Sequence, residues 1–124
     1  MLSLDPQVAA KIDAIDLTLA IQRLRDPKLG KGWTAKKAKL IEKKYKNFLK
    51  LISMGQTCVP TLDVDFLWHE HILRTKKYAE DCQRCFDRFI HHDPDMSTGA
   101  LSNAWAETCQ VYEATFGEPY SKVK

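Results

Sequence analysis

Glycine and proline are scarce in this chain, five of each in 124 residues, and they stand singly or in close pairs between apolar stretches. They support neither an internal repeat nor a low-complexity tract. No segment alternates apolar and polar residues over the length of a strand, which removes the main sequence support for a sheet. No uncharged apolar stretch approaches the roughly 20 residues that span a bilayer, and the opening MLSLDPQV has neither the basic start nor the apolar centre of a secretory signal. These absences lead to the expectation of a cytoplasmic protein with no membrane span. Cysteine is limited to Cys58, Cys82, Cys85 and Cys109. Without an export signal, the four are expected as reduced thiols rather than two disulfides. A chain of this size buries about two thirds of its unfolded surface on folding, so it needs no disulfide or zinc scaffold to hold a core.

What is present is a set of helix signals. Asp5 and Pro6 make an N-cap and first-turn pair. Val8, Ile12, Ile15, Leu19 and Leu24 then recur at helical spacing until Asp26 and Pro27, which predicts one helix over about residues 6 to 25. Gly30 and Gly32 lead to Trp33 and to Thr34 as a cap. Ala38, Ile41, Tyr45, Phe48 and Ile52 follow at three-then-four spacing, and Gly55 closes this second helix. Either Thr61 or Asp63 caps a third helix carrying VDFLWHEHIL. A break is expected near Arg74, and a fourth helix runs from there through YAEDCQRCFDRFI to His91 or His92, where Asp93 and Pro94 end it. Ser97, Thr98 and Gly99 are turn residues. Leu101, Trp105, Val111 or Tyr112, and Phe116 mark a fifth helix, terminated by Gly117 and Pro119. The fold class is all-α: one domain over residues 1–124, a bundle of four to five helices with short loops.

The net charge of +3 hides a division. Residues 1–60 carry twelve Lys or Arg against five acids, and residues 61–124 carry seven against eleven. Such a split is either the footprint of a polyanion on the first half or two charged surfaces attracting each other within one fold. Helix two holds Lys36, Lys37, Lys39, Lys43, Lys44, Lys46 and Lys50 against the single acid Glu42, away from its apolar stripe. It contains no arginine to read base edges, and its aromatics belong to the stripe, so sequence-specific nucleic-acid recognition is not expected. A solvated face, a partner-protein contact through Lys36, Lys39, Lys43, Lys46 and Lys50, and non-specific nucleic-acid contact remain, in that order.

The segment VDFLWHEHILRTKKYAEDC resembles the glycine-rich domain-containing protein-like family, found in bacteria and as the leading segment of plant glycine-rich domain proteins. The likeness rests on Asp65, Trp68, His69, His71, Tyr78, Asp81 and Cys82, and extends to Gly32 and Trp33, Tyr45 to Leu49, Phe89 to Pro94, and Tyr112 to Tyr120. It thus covers most of residues 32–120. Family members commonly carry glycine where this chain has Asp87. The resemblance implies no established catalytic reaction, and the five glycines in these 124 residues form no glycine-rich tract of the kind that gives the family its name.

The chemistry-bearing residues cluster in the third and fourth helices. Asp65 and His69 lie one turn apart, flanked by Trp68 and Ile72, so they are expected as a pair in which the carboxylate fixes the imidazole tautomer. His71 lies roughly 200° around the helix from His69, so the two cannot chelate one ion from a regular helix. A metal site, for zinc or iron, would gather Asp65 and His69 with His91 or His92 as two imidazoles and one carboxylate. A weaker set is Cys82 and Cys85 with His92 and one of Cys58, Cys109 or His69. Core packing is the simpler use of that CxxC, which sits inside a helix rather than at the start of one. A polar contact locking two helices is the commoner use of such an Asp and His pair beside a Trp.

Three functions follow. The leading one is a binding module that takes a divalent metal or a small polar ligand beside Asp65 and His69, with Trp68, His71, Tyr78 and Asp81 around the ligand. The second is an interaction protein using the lysine face. The third is an enzyme with His69 as a base oriented by Asp65, or as the ligand of a catalytic metal with Asp65 and His92.

Overall fold

The computed structural model describes residues 4–56, 58–92 and 98–121. Among the described residues six α-helices follow one another: α1 (Pro6–Asp13), α2 (Thr18–Arg25), α3 (Ala35–Ser53), α4 (Leu62–Leu73), α5 (Thr75–Phe86) and α6 (Thr98–Phe116). There is no strand among the described residues. The all-helical expectation stands, and the count is six rather than four to five.

The additional helix comes from a break in the predicted first one. Asp5 caps α1 by accepting from the Gln7 N–H, with Pro6 in the first turn. Ile15 and Leu17 are both buried, whereas on a continuous helix two residues that far apart diverge by roughly 200°. Leaving the helix after Asp13 lets both side chains enter the core. Asp16 then restarts it, its Oδ1 accepting from the Thr18 N–H at 2.9 Å and from the Thr18 hydroxyl at 2.6 Å. The change of phase turns Leu19, expected on the apolar stripe, out to solvent.

α3 is the spine of the fold, with α1, α2, α4 and α6 packed against it. Thr34 caps it by accepting from the Lys37 N–H at 3.1 Å. Ala38, Ile41, Tyr45 and Phe48 are buried along the predicted stripe. The loop between α2 and α3 folds back tightly on α2: Asp26 Oδ1 accepts from the Lys28 and Leu29 N–H groups. A Cβ at Gly30 would lie 1.8 Å from the Arg23 carbonyl oxygen, so only glycine permits this approach.

Thr61, rather than Asp63, caps α4 by accepting from the Val64 N–H at 3.1 Å. Arg74 ends α4 and opens α5, as expected. α5, predicted to reach His91 or His92, stops at Phe86 because Asp87 takes the left-handed conformation at φ 57°. The chain then turns back over α4 and buries Ile90. The expected stop at Asp93 and Pro94, and the turn residue Ser97, lie outside the described residues. α6 ends as predicted at Gly117, with φ 70°.

Replacing Asp87 by glycine removes the Cβ clash of the left-handed conformation but adds unfolded-state entropy. Asp87→Gly is therefore expected to stabilise the protein by about 0.5–1 kcal/mol. A shift of the urea midpoint at unchanged slope would show it, and a loss of stability would mean that the carboxylate itself contributes.

Candidate functional site

The site is built where α4, α5 and the returning segment 87–92 meet α3. Trp68 lies on the inner face of α4, and its indole N–H donates to the Tyr78 hydroxyl of α5 at 2.9 Å. That hydroxyl donates onward to the Ile90 carbonyl at 2.6 Å. The two bonds fasten the returning segment to both helices. His92 then stacks on Trp68, ring centroids 4.3 Å apart, and its Nε2 is hydrogen-bonded to Asp65 Oδ1. Phe48 of α3 meets the same indole edge-on at 5.1 Å.

A second polar chain runs deeper. His71 is buried, with Nδ1 2.7 Å from the Tyr45 hydroxyl and Nε2 2.8 Å from Asp81 Oδ2. Complete burial pushes the Tyr45 phenol well above its ordinary value, so it keeps its proton. Tyr45 therefore donates to Nδ1, which leaves the histidine proton on Nε2 to donate to Asp81. Burial also lowers the His71 pKa, outweighing the opposing pull of Asp81. For Asp81, burial pushes upward, but the bonds from His71 and Lys77 outweigh it and hold the carboxyl below its usual value. Lys77 donates to Asp81 Oδ2 at 3.0 Å, and Arg84 pairs with Oδ1 at 3.1 Å. A neutral imidazole thus joins a buried tyrosine to an ionised carboxylate neutralised from the protein surface.

The expected pairing of Asp65 with His69 is replaced by Asp65 with His92. His69 points out of α4, exposed, its ring 6.4 Å from that of His92. The reason is geometric: the segment returning after Asp87 brings a second imidazole over Trp68, which a helix continuing to residue 91 or 92 would not do. His91 is exposed against Phe89, ring centroids 4.9 Å apart. Among the described residues, no group of three or more His, Cys, Asp or Glu side chains forms a metal-binding set. Cys82 and Cys85 are buried, and burial raises both thiols, as it raises Cys109 and pushes Cys58 up to about 12. All four cysteines are free.

Trp68, His71, Tyr78 and Asp81, expected around a ligand, bond chiefly to one another and to the scaffold. Sequence reasoning missed Tyr45 as the third member of the His71 chain and Lys77 as its counter-charge. It also missed Lys31, Phe66 and Glu70, which with Asp65 and His69 line a cleft of about 360 Å³ between α4 and the loop after α2. Lys31 Nζ lies 4.1 Å over the Phe66 ring there. The helical period of α4 was the available signal, since it places Phe66, His69 and Glu70 toward one side.

The lysine face is only partly free. Lys46 donates to the Asp13 carbonyl and pairs with Glu42, while Lys50 pairs with Asp13 at 2.8 Å, leaving these side chains 13% and 12% exposed. Lys43 pairs with Glu118 at 2.6 Å but stays exposed, as do Lys36 and Lys39.

The geometry defines a small helical module whose signature residues mostly build an internal polar lock. The chain belongs to the UCP032817-like family, whose model matches residues 13–113. It is similar to glycine-rich domain-containing proteins 1 and 2 of Arabidopsis thaliana, 36% identical to each over 89 residues, covering 64% of this chain. The match takes in 11% of the length of each of these relatives. No solved structure matches the chain. No helix among the described residues is long and apolar enough to cross a membrane.

The His71 chain makes stability depend on pH. A histidine whose folded pKa is lowered contributes fully above its unfolded value of 6.5. The contribution is lost as pH falls from there through the depressed folded value, because the unfolded chain binds the extra proton. Urea unfolding of the wild type should therefore show stability declining below pH 6.5, with a shallower decline in His71→Gln. At pH 7.5 that variant should be about 1–3 kcal/mol less stable, from the disrupted bonds to Tyr45 and Asp81. Equal slopes in the two proteins would contradict a buried neutral imidazole.

Proposed function

We propose that the chain is a non-catalytic binding module that takes a divalent metal ion, zinc or iron, at the edge of the cleft beside Asp65 and His69, with His92 as the third ligand. The observation that carries the reading is the gathering of Asp65, His69 and His92 at one place while His71, Asp81, Tyr78 and Trp68 are spent on the lock. Two imidazoles and one carboxylate suit zinc and ferrous iron, and they leave open positions. The site is not preformed: the ion would insert between Asp65 and His92, replacing their hydrogen bond. A binding role is favoured over a catalytic one because both nitrogens of the buried His71 are occupied. The exposed His69 has no carboxylate bonded to it among the described residues to orient it as a base.

The test is calorimetric titration of tag-free protein with Zn²⁺, with elemental analysis after dialysis. The wild type is expected to take up one ion. His69→Ala should lose that uptake and keep its thermal midpoint, since the side chain is exposed. No uptake by the wild type, or equal uptake by the variant, would return Asp65 and His92 to a purely structural role.

A further inference from the structure

A different face of the molecule carries a second binding surface, independent of the metal reading. A groove of about 500 Å³ opens between the first turns of α3 and α4 and the chain at Tyr120, lined among others by Lys36, Lys37, Leu40, Ile41, Asp63 and Tyr120. Its lining is mainly apolar, with lysines standing over it. Leu40 is 41% exposed, and Leu62, between the lining residues Thr61 and Asp63 in sequence, is 69% exposed. Both are large apolar side chains left in water beside a concavity, which marks an interaction surface more than scattered exposure does.

Lysines outnumber acids around the groove, and the nearby Glu118 is paired with Lys43 and Lys44. Asp63 is the one acid in its lining among the described residues, and Lys37 already pairs with it at 3.5 Å. Lys36, and Lys39 beyond it, have no carboxylate partner among the described residues. Lys43 extends the basic strip along the exposed side of α3. The first turn of α3 contains no acidic residue, although the positive end of a helix favours acids there. Lysines at this position sacrifice local preference, and such a departure is expected where a surface has another use.

We infer that this groove docks an acidic segment of another protein, one that places a bulky apolar side chain on Leu40 and Ile41 while its carboxylates meet Lys36 and Lys39. A nucleic acid fits less well. α3 has no arginine, and Trp33, whose ring lies under Lys37, is buried rather than presented for stacking. A membrane surface would not fill a concave groove.

The probe is a fluorescein-labelled synthetic peptide in which leucines are set among Glu and Asp residues, followed by fluorescence polarisation at low and at physiological salt. Saturable binding is expected. Lys36→Glu with Lys39→Glu should weaken it about tenfold or more at low salt and flatten its salt dependence. Leu40→Ser should weaken it about tenfold while keeping the salt slope, because it removes apolar contact rather than charge. An acid at position 36 suits the helix terminus, and Leu40 is partly exposed, so unchanged circular dichroism melts are expected for both variants. His69→Ala should bind the peptide as the wild type does, which separates this site from the metal reading. The proposal is overturned if a peptide with serine replacing leucine binds equally well, or if Leu40→Ser has no effect. It also fails if phosphatidylserine vesicles bind while the peptide does not, or if no saturation occurs up to about millimolar peptide.

Discussion

The buried bond between His71 and Asp81 is the interaction on which the architecture depends. A carboxylate is costly to take out of water unless its oxygens are satisfied. Here Oδ2 receives the imidazole and Lys77, and Oδ1 receives Arg84. Tyr45 completes the other side of the ring, so the three helices α3, α4 and α5 are joined through one histidine. The charge is neutralised from the surface while its bonds point inward. The imidazole therefore works best uncharged, and its value to the fold is angular: it holds α4 and α5 at the turn around Arg74. Once that angle is set, Tyr78 reaches both Trp68 and the Ile90 carbonyl, and the returning segment has a fixed place to lie.

Most of the helical framework was legible because its signals were local. α3 shows a cap, an unbroken apolar stripe and a terminal glycine, and each acts within a few residues of where it is written. The break between α1 and α2 was not legible, because Ile15 and Leu17 fit a helix or a bend equally well until the core that receives them is known. The end of α5 was hidden for a related reason. Aspartate tolerates the left-handed conformation without demanding it, as glycine in that position would have done.

The site was legible in composition but not in pairing. Every residue of the motif from Asp65 to Cys82 lies in or beside the polar cluster, yet the partners are chosen across helices rather than along one. Helical spacing brings His69 within reach of Asp65, but His92 arrives with a stacking surface, Trp68, which His69 on the outer side of α4 lacks. The His71–Asp81 pair spans ten residues and a turn, a separation for which no helical periodicity speaks. Tyr45 comes from another helix altogether and could be joined to them only by packing.

The division of charge along the chain is resolved in part within the fold, where Lys37 meets Asp63, and Lys43 and Lys44 meet Glu118. Lys46 and Lys50 are consumed by acids of the basic half itself, Glu42 and Asp13. Intramolecular attraction therefore accounts for the C-terminal part of α3 and leaves its first turns with a surplus. Had the lysines served only solubility, their distribution along α3 would be indifferent to the neighbouring surface. The surplus, Lys36 and Lys39, instead sits in the first turns beside the apolar groove with exposed Leu40, while Lys44 in the same lining is held by Glu118 and by the Pro119 and Tyr120 carbonyls. Scaffold and exposed chemistry are thus separated along single helices: α3 between its two ends, and α4 between the inward His71 and the outward His69.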